Sequence, residues 1–241
     1  LLSYSIYQGH AIWVTKDFHS YAIGFNGDFR INNFLPQETI QTPKEFTLKD
    51  KEGNDLQLLS AVCGSLYTVY MTKQTIVPFK TQISTVYRNR DSGNLDIINN
   101  SYTPLALFGG AQNAAVIYDD NSILLLSSDY FESGSAPQNL MLPNNEIPIS
   151  IACCNDFIVV MSAKGQLFFS SKQNTSFSPL APVPEFADKK FVEISGKSNH
   201  VLAVSADGKA FCRGSNLYGQ LGLSSRIPKT ESFLEIYSLR L

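Results

Sequence analysis

Histidine, cysteine and positive charge are all scarce in this chain of 241 residues. Three histidines, His10, His19 and His200, leave little room for imidazole-based catalysis or metal ligation. Nineteen Lys and Arg stand against 21 Asp and Glu, for a formal net charge of −2. That balance lacks the basic excess of a chain held to nucleic acid by bulk charge, so no direct nucleic-acid partner is expected. The four cysteines, Cys63, Cys153, Cys154 and Cys212, match neither zinc-ribbon nor C-x-x-C spacing. They read as small buried thiols in a reducing, intracellular compartment. Apolar runs such as Ile123 to Leu126 and Phe157 to Met161 fall far short of the ~20 residues of a membrane span. No H-E-x-x-H, G-x-S-x-G or Walker-type motif appears, so no catalytic residue, metal or cofactor is expected.

What the chain has instead is apolar residues, 44% of the total, punctuated by 15 glycines and 11 prolines. That is enough for a sizeable core and argues against global disorder. Two segments align without a gap: GHAIWVTKDFHSYAIGFNGDFRINN from Gly9 and NHVLAVSADGKAFCRGSNLYGQLGL from Asn199. In this register His10 meets His200, Asp17 meets Asp207, Gly24 meets Gly214 and Asn26 meets Asn216. Three weaker copies lie between, with Tyr67, Asn113 and Phe157 at the histidine position. The anchors are separated by 57, 46, 44 and 43 residues, a period close to that of a propeller blade.

Each copy has an apolar run, a short polar turn and a second apolar run. The turns are placed at Lys16-Asp17, Lys73-Gln74, Asp120-Asn121, Lys164-Gly165 and Asp207-Gly208. Runs such as ILLL and IVVM are apolar on both sides, as suits a strand sandwiched between two sheets. These features predict an all-β protein, a single β-propeller domain over residues 1–241. Its repeat hairpins fall near 10–24, 67–80, 113–126, 157–170 and 200–214.

The last copy carries a more specific pattern. His200, the hairpin turning at Gly208 and the stretch Gly214-Ser215-Asn216-Leu217-Tyr218-Gly219-Gln220-Leu221-Gly222 resemble the diagnostic run of the regulator-of-chromosome-condensation repeat. The Gly9 copy matches in part, with Arg30-Ile31-Asn32 where Gln-Leu-Gly stands in the family, and the middle copies keep only the hairpin. The resemblance implies that His10, His200, Gly24, Gly214, Asn216 and Gly219 are structural repeat positions. Family members usually have seven blades. At about 44 residues each this chain has room for fewer, so the ring is smaller, open or part of a longer one. The segment FLEIYSL resembles FVEIS from Phe191 and is expected to complete a blade begun by the N-terminal residues.

The resemblance also implies a protein partner. That partner would be a small GTPase such as Ran, with nucleotide exchange promoted without active-site chemistry. Function then falls to loops on the rims. Lys16, Lys73, Asp120, Lys164 and Asp207 are expected in a charged ring of hairpin turns, and Asp119, beside Asp120, is a further candidate for partner binding. Arg88, Arg90 and Asp91 stand near the tip of an irregular hairpin, Ile83 to Asn99, similar in kind to the wedge by which family members pry nucleotide loose. Tyr130 and Phe131, two aromatics between Asp129 and Glu132, suit a contact anchor. Plainer alternatives stand beside these: solvated carboxylates, an ordinary outer strand pair, and aromatics tucked against a blade edge. The divergent copies also suit a bacterial effector that mimics a host factor in the host-cell cytosol. A substrate-recruiting scaffold of a larger ubiquitin-ligase or trafficking protein, and an enzyme-inhibitor propeller, are the other functions left open. The expected state is a monomer. A single tryptophan, Trp13, argues against the photoreceptors of this fold, which depend on tryptophan clusters.

Overall fold

The repeated grammar of apolar run, polar turn and apolar run yields five antiparallel sheets in the computed structural model. The structure describes every residue except 8, 27–30, 32–38, 51, 66, 75–80, 88–95, 99, 225 and 241. Blade 1 contains β1 (Ser3–Tyr7), β2 (His10–Val14), β3 (Ser20–Phe25) and β4 (Thr39–Phe46). Blade 2 contains β5 (Leu48–Lys49), β6 (Asp55–Cys63), β7 (Tyr67–Gln74), β8 (Thr81–Tyr87) and β9 (Asp96–Ile98). Blade 3 contains β10 (Pro104–Gly109), β11 (Ala114–Tyr118), β12 (Ile123–Leu126) and β13 (Gln138–Leu140), with a short helix, α1 (Ser128–Ser133), before β13. Blade 4 contains β14 (Pro148–Cys153), β15 (Phe157–Ser162), β16 (Leu167–Gln173), β17 (Ser176–Phe177) and β18 (Ala181–Pro182). Blade 5 contains β19 (Phe191–Lys197), β20 (His200–Ser205), β21 (Lys209–Ser215) and β22 (Lys229–Arg240). Strands adjacent in sequence are adjacent in the sheet, apart from β18, which returns to pair with β16.

The sequence anchors mark one structural position. His10, Tyr67, Phe157 and His200 open β2, β7, β15 and β20, and Asn113 immediately precedes β11. Four of the five turns share one geometry. The N–H groups of Phe18, Asn121, Gly165 and Gly208 donate to the carbonyls of Thr15, Tyr118, Ser162 and Ser205 at 2.8–3.0 Å. All four residues are left-handed, with φ of 66°, 67°, 76° and 78°, as a three-residue hairpin loop demands at its last position. In blade 2 the strand runs on through Gln74 and Lys73 pairs with Thr81. The reversal expected at Lys73-Gln74 is therefore not at these two residues, and residues 75–80 lie outside the described residues.

Neighbouring blades pack face to face, and the apolar core sits in the junctions. One cluster joins Ile12, Val14 and Ile40 of blade 1 to Leu56, Leu58 and Tyr70 of blade 2. Others join blade 2 to 3, blade 3 to 4, and blade 4 to 5. This two-sided packing buries every residue of β11 and β12. The far face of blade 5 is different: Leu202, Leu223 and Leu234 pack only partly around Cys212, Leu221 and Ile236. Among the described residues no apolar cluster joins blade 5 to blade 1. What crosses this seam is Lys197, whose Nζ donates to the Ile6 carbonyl at 2.8 Å and lies 4.6 Å from the centre of the Tyr7 ring. The C-terminal strand does not complete the N-terminal blade as its sequence suggested. β22 pairs with β21 inside blade 5, while β1 pairs with β2, because each repeat supplies its own inner strand.

Candidate functional site

The anchor position is where one blade is fastened to the next. His10 Nε2 lies 3.1 Å from Thr68 Oγ1 of blade 2. Tyr67 donates its hydroxyl to the carbonyls of Gly110 and Asn113 in blade 3, at 3.0 and 2.7 Å. Asn113 Nδ2 donates to the carbonyls of Cys154 and Asn155 in blade 4, at 2.5 and 2.9 Å. Three different side chains do one job, each bonding to a polar group of the next blade, a hydroxyl for His10 and backbone carbonyls for Tyr67 and Asn113, that packing has taken from water. His200, half-buried in blade 5, makes no ring hydrogen bond among the described residues, and burial lowers its pKa.

The glycines opposite the two histidines are set by close approach. Gly24 and Gly214 have φ of 106° and 109°. A Cβ on either would stand 2.0 or 2.1 Å from the carbonyl oxygen of Gly9 or Asn199. Two residues beyond Gly214, buried Asn216 organises the following loop. Its Oδ1 accepts from Leu221 N–H at 3.0 Å and its Nδ2 donates to the Ile227 carbonyl at 2.9 Å. Asn26 repeats the first of these bonds with Ile31 at 2.9 Å. Gly219, with φ of 76°, turns the same loop.

The charged turns are largely occupied with local bonding. Asp119 Oδ1 accepts from Thr103 N–H at 3.0 Å, and Asp120 Oδ1 from Ser122 N–H and Oγ at 3.0 and 2.6 Å. Lys164 pairs with Glu146 at 3.2 Å and Asp207 with Lys189 at 3.7 Å. Lys73 belongs to the ladder of β7 and not to a turn. Beside the turns, at the start of the inner strands, β-bulges expose Leu105, Ile149 and Val192 by 58%, 48% and 61%. Aliphatic groups thus stand out next to the charged turns of blades 3, 4 and 5.

Tyr130 and Phe131 lie on α1 and not on an open loop. Phe131 is 2% exposed and stacks on Tyr67 with centroids 4.0 Å apart, so it belongs to the core and not to a contact surface. Tyr130, half-buried, meets Phe131 edge-on at 5.2 Å. Asp129 ties the helix to blade 4 through Lys172 at 2.7 Å. Arg88, Arg90 and Asp91 lie outside the described residues.

The four thiols are free and buried, and burial pushes the Cys63 and Cys212 pKa values up to about 11 and that of Cys153 to about 12. No group of three or more His, Cys, Asp or Glu among the described residues could hold a metal ion, and no helix there is long and apolar enough to cross a membrane.

One surface feature escaped the sequence reading. A groove of about 300 Å³ opens where blades 4 and 5 meet, lined by Phe157 and Phe169 on one side and by Arg213 and Leu217 on the other. The only sequence signal was an arginine beside Cys212 in the strand KAFCRGS, facing a neighbour that strand periodicity cannot identify.

Comparison with known proteins places these features. The family model of the regulator of chromosome condensation (RCC1) repeat matches residues 191–220. The human protein described as probable E3 ubiquitin-protein ligase HERC6 is 32% identical over 93 residues, 37% of this chain and 9% of that protein. The chain therefore spans a small fraction of this relative. Prp20p from Saccharomyces cerevisiae, whose structure was described with its binding properties to Gsp1p and histones, superposes with a TM-score of 0.70 at 15% identity. The match covers 95% of this chain and 61% of that one. Human WBSCR16 gives a TM-score of 0.55 at 13% identity, over 97% and 81% of the two chains.

Proposed function

We propose that this chain, a divergent β-propeller of RCC1-type repeats, is a protein-interaction module that engages a small Ran-like GTPase and promotes its nucleotide exchange. The observation that carries the reading is the superposition on Prp20p over 95% of the chain, joined to an RCC1 repeat at residues 191–220. Exchange needs no nucleophile. A factor that binds the nucleotide-free GTPase more tightly than the loaded form shifts the equilibrium toward release by its differential affinity alone. The exposed aliphatic bulges beside charged turns have the mixed character of a protein-binding rim.

The test is release of a fluorescent mant-nucleotide from a panel of GTPases, with Arg88, Arg90 and Asp91 replaced by alanine in parallel. Acceleration that these replacements weaken supports the reading. No acceleration and no binding across the panel overturns it. A second reading, a recruiting scaffold within a larger ubiquitin-ligase chain, is favoured by the identity shared with HERC6. It is distinguished by binding to a substrate protein without any effect on nucleotide release.

A further inference from the structure

The groove between blades 4 and 5 has an unusual charge at its centre. The Arg213 guanidinium carbon lies 4.0 Å from the centre of the Phe169 ring, 5.7 Å from Phe157 and 6.0 Å from Phe233. Aromatic rings can cover the two faces of a guanidinium, where it has no hydrogen to give. Its five N–H donors point outward in the plane and need acceptors. Among the described residues the Arg213 guanidinium makes no hydrogen bond and no ion pair. Glu231, which lines the same groove, and Glu185 act on its charge without forming an ion pair with it, and Glu231 is held by Lys229 at 2.6 Å. The guanidinium is thus half-buried, in contact with aromatic rings, and unspent in hydrogen bonding.

The adjoining loop holds apolar side chains out into solvent. The bonds of Asn216, with Tyr218 N–H donating to Gln220 Oε1 at 2.8 Å, hold the backbone of Gly214 to Gly222 in place. On that fixed backbone Leu217 is 71% exposed and Tyr218 is 92% exposed. A preformed loop displaying leucine and tyrosine loses little entropy on contact, which is what a binding anchor requires.

We propose that this groove docks an extended segment of a protein partner that carries a single acidic residue. A single Asp or Glu carboxylate pairs with the in-plane edge of Arg213, and an apolar neighbour packs on Leu217 and Tyr218. Planar carboxylate matches planar guanidinium through two parallel N–H···O bonds, a geometry lysine cannot offer. Asp156, on the wall of the same groove, repels a second carboxylate, so the favoured segment carries an isolated acid flanked by apolar residues. The proposal rests on the protein-interaction reading above and adds a place and a chemistry to it.

The test is fluorescence polarisation of the whole chain with a labelled ten-residue peptide centred on Leu-Glu-Leu, against the same peptide with Leu-Gln-Leu. The acidic peptide is expected to bind at least about tenfold more tightly, the worth of one charge-assisted pair. Arg213→Gln should erase that difference, and Arg213→Lys should restore it only in part. Leu217→Ala with Tyr218→Ala should weaken both peptides equally. Circular dichroism of each variant checks that the fold is retained. Equal binding of the two peptides, or an acid preference that survives Arg213→Gln, overturns the proposal. Nucleotide release measured on the same Arg213→Gln protein separates the two ideas. Unchanged release with lost peptide binding leaves the GTPase reading standing, and peptide binding without any effect on GTPases leaves the groove standing.

Discussion

Gly214 shows how one residue can be required by a neighbour nearly absent from sequence patterns, the carbonyl oxygen of Asn199. With φ of 109° and no room for a Cβ, it lets Ser215 N–H reach that oxygen at 2.8 Å. Replacing it by alanine joins left-handed strain to a direct clash. Gly214→Ala is expected to destabilise the fold by roughly 2–4 kcal/mol, read as a lowered urea midpoint at unchanged m-value. A same-sized change at exposed Gly53, where a Cβ would meet nothing within 4 Å, should cost less. His19 sets a residue-scale pH effect. It bonds to Glu45 across β3 and β4 and lies 3.6 Å from Asp17, and the bond to Glu45, then its charge, raises the His19 pKa. A raised pKa means the protonated form is favoured by folding. The small stabilisation is present below the unfolded pKa and disappears as pH rises through the folded value. A proton NMR titration should place His19 above an ordinary histidine and lower it toward the ordinary value in Glu45→Gln, with Asp17 still acting on it. An unchanged titration in that variant would show that Glu45 is not the cause.

At the scale of elements the repeated turn is the informative unit. Three of its four visible copies carry Gly or Asn at the left-handed position, while blade 1 carries Phe18, 41% exposed, at φ of 66°. A phenylalanine there bears a backbone strain of about 1–2 kcal/mol that glycine avoids, less glycine's larger entropy loss. Phe18→Gly should therefore stabilise by up to about 1 kcal/mol, seen as a higher midpoint in urea. A loss of stability would mean that the Phe18 ring makes contacts worth more than the strain. Helix α1 illustrates the opposite dependence. Its sequence, SDYFES, is too short to be stable alone, and it is held by the stack of Phe131 on Tyr67 and the bridge from Asp129 to Lys172.

The whole molecule is defined as much by its seam as by its cores. Blade 1 presents Trp13, stacked on Tyr21 at 5.8 Å, on the face opposite Ile12 and Val14, which are fully buried toward blade 2. Tyr4 and Ile6 of β1 are 69% and 64% exposed, and in blade 5 the His200 ring makes no hydrogen bond among the described residues. Trp13 is the chain's single tryptophan and therefore reports on blade 1 alone. Its emission is expected to be quenched by acrylamide to a degree between buried and free indole. Lys197→Ala, which removes the link from β19 to β1, should increase the quenching. Complete protection in the unmutated chain would show a seam packed like the other junctions.

Much of this architecture could be read from the sequence because it depends on short-range rules. Left-handed turn residues, strands apolar on both sides and anchors some 43 to 57 residues apart all act within one repeat, where period and turn chemistry determine the hairpin. The forward bond from the anchor position was hidden, since His10, Tyr67 and Asn113 share no side-chain chemistry beyond reaching a backbone or hydroxyl group in the next blade. Which charges are spent on local bonds, why Phe131 is core while Leu217 and Tyr218 are surface, and where Arg213 meets a groove were decided only by tertiary structure. The sequence by itself determined the blade, because a blade closes its strand-ladder hydrogen bonds internally. The rotation of one blade against the next determined the surface, because it is set by the summed packing of side chains tens of residues apart.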